Sequence, residues 1–386
     1  MQVRHNIMKL AIVHDWLVSQ RGGENVLDAI CELFPSADLY TLLYVPGQVS
    51  GNITRLKRHV SILQKVPFIE KRYRYFLPVM PWVIERFDMS QYDLIISSSH
   101  CVAKGIRKKQ GAHHISYIHA PMRYMWDRFD EYFSKNRAGL ITRLAANIFR
   151  PYLQNWDKKS ARNVDGFIAN SHFIASKVEE YYGKKAPVVY PFCETDFFSV
   201  QCKPGNYYLM VTALVPYKRV DLAIEAFNQM GKPLFIIGDG PDRERLQKKA
   251  HPNIDFLGVL KKSSLADLYA KSKALIFPGV EDFGIVPLEA MSCGVPVIAF
   301  GKGGVLETIT KETGIFFYEP TAEALIQAVE KFESKTFSVE ACKAQATIFT
   351  REKFQKEFLE TLKTFLPTKI WSFLKNNDSA PQYLEV

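Results

Sequence analysis

The residues best suited to chemistry lie in one stretch, Glu281-Asp-Phe-Gly-Ile-Val-Pro-Leu-Glu289. An apolar run at 274–277 precedes it and reads as a buried strand. Residues 289–294 read as a short helix closed by Gly294. Pro287 suits the first helical turn, where a missing N–H costs nothing. Glu281 then sits in the loop at the strand's carboxyl end, free amides surround Gly284, and Glu289 points back from the first turns. In an open α/β sheet, such a crevice beside a helix N-terminus takes an anionic ligand. Two carboxylates placed there oppose a phosphate unless they hold sugar hydroxyls. Read blandly, acids in a first helical turn are ordinary partners of the helix dipole.

Other candidates fall at equivalent places. The loop Ala213-Leu-Val-Pro-Tyr-Lys218-Arg219 puts two cations ahead of a helix, where they would neutralise a diphosphate. His119 closes an apolar strand, with Pro121 two residues later, and points into a crevice of the same kind. From the residues alone it could equally be a satisfied structural histidine. Gly22 and Gly23 follow the first strand and open a helix, an arrangement for close approach of an anion or a sugar that is also a common turn. Gly238 and Val259 mark turns where a base could lie against backbone, and Gly301-Lys-Gly-Gly304 supplies flexible amides facing the Glu281 loop.

The chain of 386 residues is long enough for two domains, each with its own core. Its 47% hydrophobic and 23% charged residues describe a soluble globular protein. No run of eighteen apolar residues occurs, so no spanning helix is expected. The first seven residues are polar, and the apolar run from Leu10 is broken by His14 and Asp15. A signal peptide is therefore not expected, the expected location is cytoplasmic, and Met8 is an alternative start. Six cysteines without a Cys-x-x-Cys pair predict reduced, buried thiols rather than a zinc site or a disulfide scaffold.

The net charge of +10 belongs to the first half. Residues 1–195 hold 27 Lys and Arg against 17 Asp and Glu, whereas 196–386 hold 23 of each. Within 55–86, eight basic residues, among them Lys71, Arg72 and Arg74, alternate with Phe68, Tyr73, Tyr75, Phe76 and Trp82. That mixture suits an anionic membrane surface or a lipid-linked phosphate. A solvated basic helix face would look the same, and no nucleic-acid-binding motif accompanies it.

Strands and helices alternate in both halves, which implies parallel sheets covered on both faces. In the first half, strands are expected at 9–13, 93–97, 114–118, 166–169 and 188–190, with a helical region over 137–163 broken at Pro151. In the second, strands are expected at 207–212, 234–237, 254–257, 274–277 and 297–300. The Pro- and Gly-bearing stretch 195–205 is the expected linker, which gives domains at 1–200 and 201–366 and a frayed tail at 367–386.

The Glu281 to Glu289 stretch resembles the Glu-x7-Glu signature of retaining glycosyltransferases of family 4. The resemblance covers about 8–365. It implies an α/β, GT-B fold, with two doubly wound Rossmann-like domains whose parallel sheets face a central cleft. By position it gives Glu281 to the donor hexose, the amides of Phe283, Gly284 and Ile285 to the diphosphate, and Glu289 to the ribose. It makes Gly22 and Gly23 a loop between acceptor and donor, and the Gly301–Gly304 loop a cover over the donor. The family's Arg-x4-Lys phosphate pair is matched at Lys218. Ala213 stands where the arginine is usual, so Arg219 is the expected substitute. His119-x-Pro-x-Arg123-Tyr resembles a segment of the members that extend O-antigen-like polysaccharides; it implies His119 beside the reacting sugar, with Arg123 and Trp126 toward the acceptor. GDP-mannose as donor and a lipid-linked saccharide acceptor follow from the same resemblance. No Asp-x-Asp occurs, so no metal or other cofactor is expected. The expected place of work is the inner face of the cytoplasmic membrane, through Lys71, Arg72 and Arg74. A UDP-sugar donor, a sugar-nucleotide epimerase or hydrolase, and a non-catalytic nucleotide-sugar-binding subunit are the alternatives.

Overall fold

The computed structural model describes residues 8–49, 51–133, 139–195, 198, 203 and 205–376. The chain forms two compact units, one from residues up to Val189 together with those from Phe354 onward, the other Tyr190–Lys353.

The first unit is built on six parallel strands: β1 Leu10–His14, β2 Asp38–Thr41, β3 Lys57–Val60, β4 Leu94–Ser99, β5 His113–Ile118 and β6 Gly166–Ala169. Their spatial order is β3-β2-β1-β4-β5-β6. This is a doubly wound sheet, and its strand order reverses between β1 and β4. Those two strands pair from Leu10 with Leu94 to His14 with Ser98, which brings the polar carboxyl ends of both together. β1 and β4 are buried along almost their whole length, as a sheet covered on both faces requires.

The second unit repeats the plan with β7 Tyr207–Val211, β8 Leu234–Ile237, β9 Ile254–Gly258, β10 Ser272–Phe277, β11 Val297–Phe300 and β12 Gly314–Phe317, in the order β12-β11-β10-β7-β8-β9. Side chains of β7 alternate between two cores. Tyr208 and Met210 pack with Phe227, Ile236 and Val329, whereas Tyr207 and Leu209 pack with Leu288, Met291 and Val305. The reversal here lies between β7 and β10.

Several expectations are corrected. β2, β3 and β12 have no counterpart among the expected strands. Pro151 does not break its helix, which runs through from Leu140 to Ala161. The proline lies on the exposed face, so the carbonyl it deprives of a donor faces water. Val188 makes only an isolated bridge to Ala169. The boundary between the units falls after Val189, because Cys193 N–H donates to the Phe349 carbonyl at 3.0 Å and Arg351 lies over the Phe192 ring. From Phe354 the chain belongs to the first unit: Phe354 and Phe358 pack on Tyr117, and the Gln355 amide donates to the Ala29 carbonyl at 3.2 Å. Within the expected tail, Thr368–Asn376 is helical. Residues 377–386, the start at 1–7, the helix start at 137 and much of the expected linker lie outside the described residues. Among the described residues no helix is long and apolar enough to cross a membrane.

Candidate active site

The two switch points, one in each unit, hold most of the residues singled out above. In the second unit, the segment after β10 runs through Gly279 and Glu281 into the helix Ile285–Ser292. Gly284 caps that helix with φ of 100°, a conformation that favours glycine, and no side chain caps the helix. The first amides thus have no side-chain acceptor and lie at the positive end of the helix dipole. Phe283 precedes that cap. Its side chain is buried against Tyr190 and Phe349, with ring centroids 5.7 and 5.6 Å away.

Lys218 Nζ lies 2.5 Å from Glu281 Oε1, with both side chains mostly buried. The loops that carry them meet at Gly279, where a Cβ would come within 2.8 Å of the Tyr217 carbonyl. The Gly301–Gly304 segment rests on the Glu281 loop, its Gly304 N–H donating to the Glu281 carbonyl at 2.9 Å. Arg219 turns elsewhere: it pairs with Asp221 at 3.6 Å, and its guanidinium donates to the Pro320 carbonyl at 3.4 Å. Its backbone is left-handed, with φ of 52°, at the start of the helix Val220–Met230.

Glu289 is half-buried and accepts a hydrogen bond from the Tyr269 hydroxyl at 3.1 Å. Burial raises its carboxyl to about 7, against the opposing pull of that hydroxyl and of Lys262. Gly238 donates its N–H to the Gly258 carbonyl at 2.8 Å, and Val259 beyond it is 75% exposed.

In the first unit the carboxyl ends of β1, β4 and β5 gather a polar cluster. His119 follows β5 and is buried, with Nε2 2.8 Å from Ser98 Oγ and its backbone N–H donating to the Ser99 carbonyl. Burial, with His100, His14 and Arg123 nearby, holds His119 well below the usual histidine range. The start of the helix Gly22–Leu33 lies against it, and Gly23 faces its ring. Asp15 accepts the N–H groups of His100, Cys101, Val102 and Ala103 at 2.5 to 3.0 Å and lies 3.2 Å from the His100 ring.

Trp126 is engaged inside the fold. Its indole N–H donates to Asp157 at 2.8 Å, and its ring stacks on Tyr181. Asp157 also pairs with the buried Lys104 at 2.8 Å and accepts from the Tyr182 hydroxyl. Lys71, Arg72 and Arg74 lie on short helical turns and are exposed beside Phe68 and Tyr75.

Two family models match in succession, Glycosyltransferase Family 4 over 21–197 and Glycosyl transferases group 1 over 194–348. The chain belongs to glycosyltransferase family 4. This family 4 chain is 30% identical over 157 residues to an uncharacterised glycosyltransferase of Methanocaldococcus jannaschii, covering 39% of this chain and 44% of that one. Over 118 residues it is 37% identical to the GDP-mannose-dependent monoacylated alpha-(1-6)-phosphatidylinositol monomannoside mannosyltransferase of Corynebacterium glutamicum, 26% and 31% of the two chains. The matched stretches span less than half the length of these relatives. An Anabaena protein solved in complex with UDP and glucose superposes with a TM-score of 0.66 over 92% of this chain and all of the other, at 18% identity. That likeness shows the fold, GT-B.

Sequence reasoning missed Glu24, Ser98, His100 and Tyr269, and it noted His14 and Asp15 only as polar breaks in an apolar run. The signal that marked His119, a polar residue at the carboxyl end of a buried strand, also marks His14, Asp15 and Ser98.

Proposed function

We propose that this family 4 chain transfers a hexose from a nucleoside diphosphate sugar, with retention at the anomeric carbon. The donor is GDP-mannose and the acceptor a lipid-linked saccharide in cell-surface polysaccharide synthesis. The observation that carries the reading is the second unit's switch point, where Lys218 and Glu281 meet beside the uncapped N-terminus of the helix Ile285–Ser292. Sugar transfer builds positive charge on the ring and negative charge on the leaving diphosphate. Lys218 and the helix amides address the diphosphate without a metal ion, Glu281 the hexose and Glu289 the ribose hydroxyls; His119 is the first unit's candidate for contact with a sugar.

Mannose is supported by the Corynebacterium relative, whose name gives GDP-mannose as donor. The inner face of an anionic membrane is supported by exposed Phe68, Tyr75 and Trp82 among Lys71, Arg72, Arg74 and Arg86. A second exposed apolar row, Leu140, Ile141, Leu144 and Ile148 along one helix, has the same membrane-facing character. A second reading, a non-catalytic nucleotide-sugar-binding subunit, draws on Ala213 and on the engagement of Arg219 with Asp221 and Pro320.

The test is a thermal-shift and calorimetric comparison of GDP, UDP, ADP and their sugars, with and without Mg²⁺. A ligand at a hundred times its Kd adds about 2.7 kcal/mol to stability. Preference for GDP without metal is the expected result. Preference for UDP discards the mannosyl donor, and absence of binding discards the enzyme.

A further inference from the structure

The polar cluster of the first unit contains a chain of contacts that fixes where protons sit. His14 Nδ1 lies 2.9 Å from the Ser98 carbonyl and 3.2 Å from Ser98 Oγ. A carbonyl only accepts, so His14 Nδ1 carries a proton and donates. The opposite nitrogen of His14 is buried and faces Glu24 Oε1 at 3.8 Å, with no hydrogen-bond partner of its own. Glu24 thus backs the far edge of the His14 ring without hydrogen-bonding it. Burial would raise Glu24, but His14 and His100 outweigh it and hold its carboxyl at about 2, so Glu24 is ionised at neutral pH. Its other oxygen accepts the Arg21 backbone N–H at 2.9 Å, which anchors it to the helix start.

The hydroxyl of Ser98 therefore receives on the His14 side. Its own proton is left for the other neighbour within reach, His119 Nε2 at 2.8 Å. An imidazole nitrogen that accepts a hydrogen bond is bare, and in a neutral ring the proton then sits on the other nitrogen. Among the described residues nothing hydrogen-bonds His119 Nδ1, which leaves that N–H for a ligand.

We propose that Glu24, His14 and Ser98 are positioning residues that hold His119 as the Nδ1–H tautomer, so that it offers a sugar hydroxyl a donor and never an acceptor. The purpose assigned to the donor rests on the proposed sugar transfer; the proton placement does not. His119 would accordingly favour a sugar oxygen able to accept, and a deoxy sugar lacking that oxygen would forfeit the contact. Neither His14 nor Ser98 needs to touch substrate. Both are fully buried, and Ser98 Oγ is within reach of both rings.

The experiment is histidine-selective ¹⁵N NMR of the full chain, which reports the protonated nitrogen of each ring and needs no substrate. Assignment comes from a His119→Gln spectrum. The expected result is a bare Nε2 and a protonated Nδ1 on His119 in the wild type. A proton on Nε2, or on both nitrogens, overturns the proposal. In Ser98→Ala the Nε2-protonated form should appear and kcat should fall about fivefold to tenfold, the worth of one neutral hydrogen bond. The Kd for the nucleotide alone should stay unchanged, because the groups proposed for it lie in the other unit. Ser98→Ala with unchanged kcat and an unchanged His119 spectrum overturns the relay. If no nucleotide sugar is turned over but the wild-type tautomer is as stated, the functional reading fails and the proton placement stands.

Discussion

Glu289 gives the sharpest quantitative expectation. Its carboxyl is raised to about 7 by burial, so it is mostly protonated at pH 6 and mostly ionised at pH 8. A carboxylate accepts hydrogen bonds from both ribose hydroxyls, whereas the protonated form must surrender part of that capacity to its own proton. If only the ionised form holds the ribose, affinity follows the ionised fraction. That fraction rises about tenfold between pH 6 and pH 8 for a pKa near 7, or about 1.4 kcal/mol of binding. Calorimetry of GDP binding across that range measures it directly. The nucleotide's own phosphates titrate too, so the comparison is with Glu289→Gln, which carries the same phosphate titration. The variant should bind more weakly at pH 8 and lose the carboxyl's share of the pH dependence. Parallel profiles for wild type and Glu289→Gln, at equal affinity, refute both the ribose assignment and the pH argument.

The other expectations concern charge. Lys218→Ala should weaken nucleotide binding about tenfold to a hundredfold by calorimetry, since hydrogen bonds to charged groups contribute about 1.5–3 kcal/mol, while Glu281→Ala should chiefly lower turnover; equal, negligible effects contradict the pairing seen at 2.5 Å. Asp157→Ala should cost about 3–5 kcal/mol in urea unfolding, because it strands the buried ammonium of Lys104; a loss below about 1 kcal/mol would contradict that. Glu24, depressed from 4.5 to about 2 in the fold, contributes stability that is present above pH 4.5 and lost as pH falls through 2. The amount is about 3 kcal/mol, and Glu24→Gln should flatten the wild-type decline between those limits. Transfer activity should survive EDTA, and strict dependence on Mg²⁺ or Mn²⁺ would refute a diphosphate site built from Lys218 and helix amides alone.

The buried strands were the most legible part of the fold. β1, β4, β5, β7, β8 and β10 are apolar runs ending in turn residues, and a sheet covered on both faces requires such runs. The edge strand β3, Lys-Arg-His-Val, carries no such pattern, because an edge needs less burial and tolerates charge. Pro151 misled because proline is read as a breaker without knowledge of which face it occupies. The turn from β10 into its helix was readable from local chemistry, with Gly284 and Pro287 each at a place that suits it. The pairing of Lys218 with Glu281 was not, since it depends on two loops separated by some sixty residues of chain meeting at one switch point. The His14, Ser98 and His119 contacts were hidden for the same reason: register between β1, β4 and β5 brings them together, and only the sheet order sets that register.

The central claim is transfer, and it is tested most directly by supplying GDP-mannose with a lipid-linked saccharide on anionic vesicles and following both the product and the configuration of the new linkage. The account predicts a mannosylated acceptor whose new bond keeps the donor's anomeric configuration, formed without added metal. Release of free mannose with no acceptor product, transfer from UDP-sugars only, or an inverted linkage would contradict it.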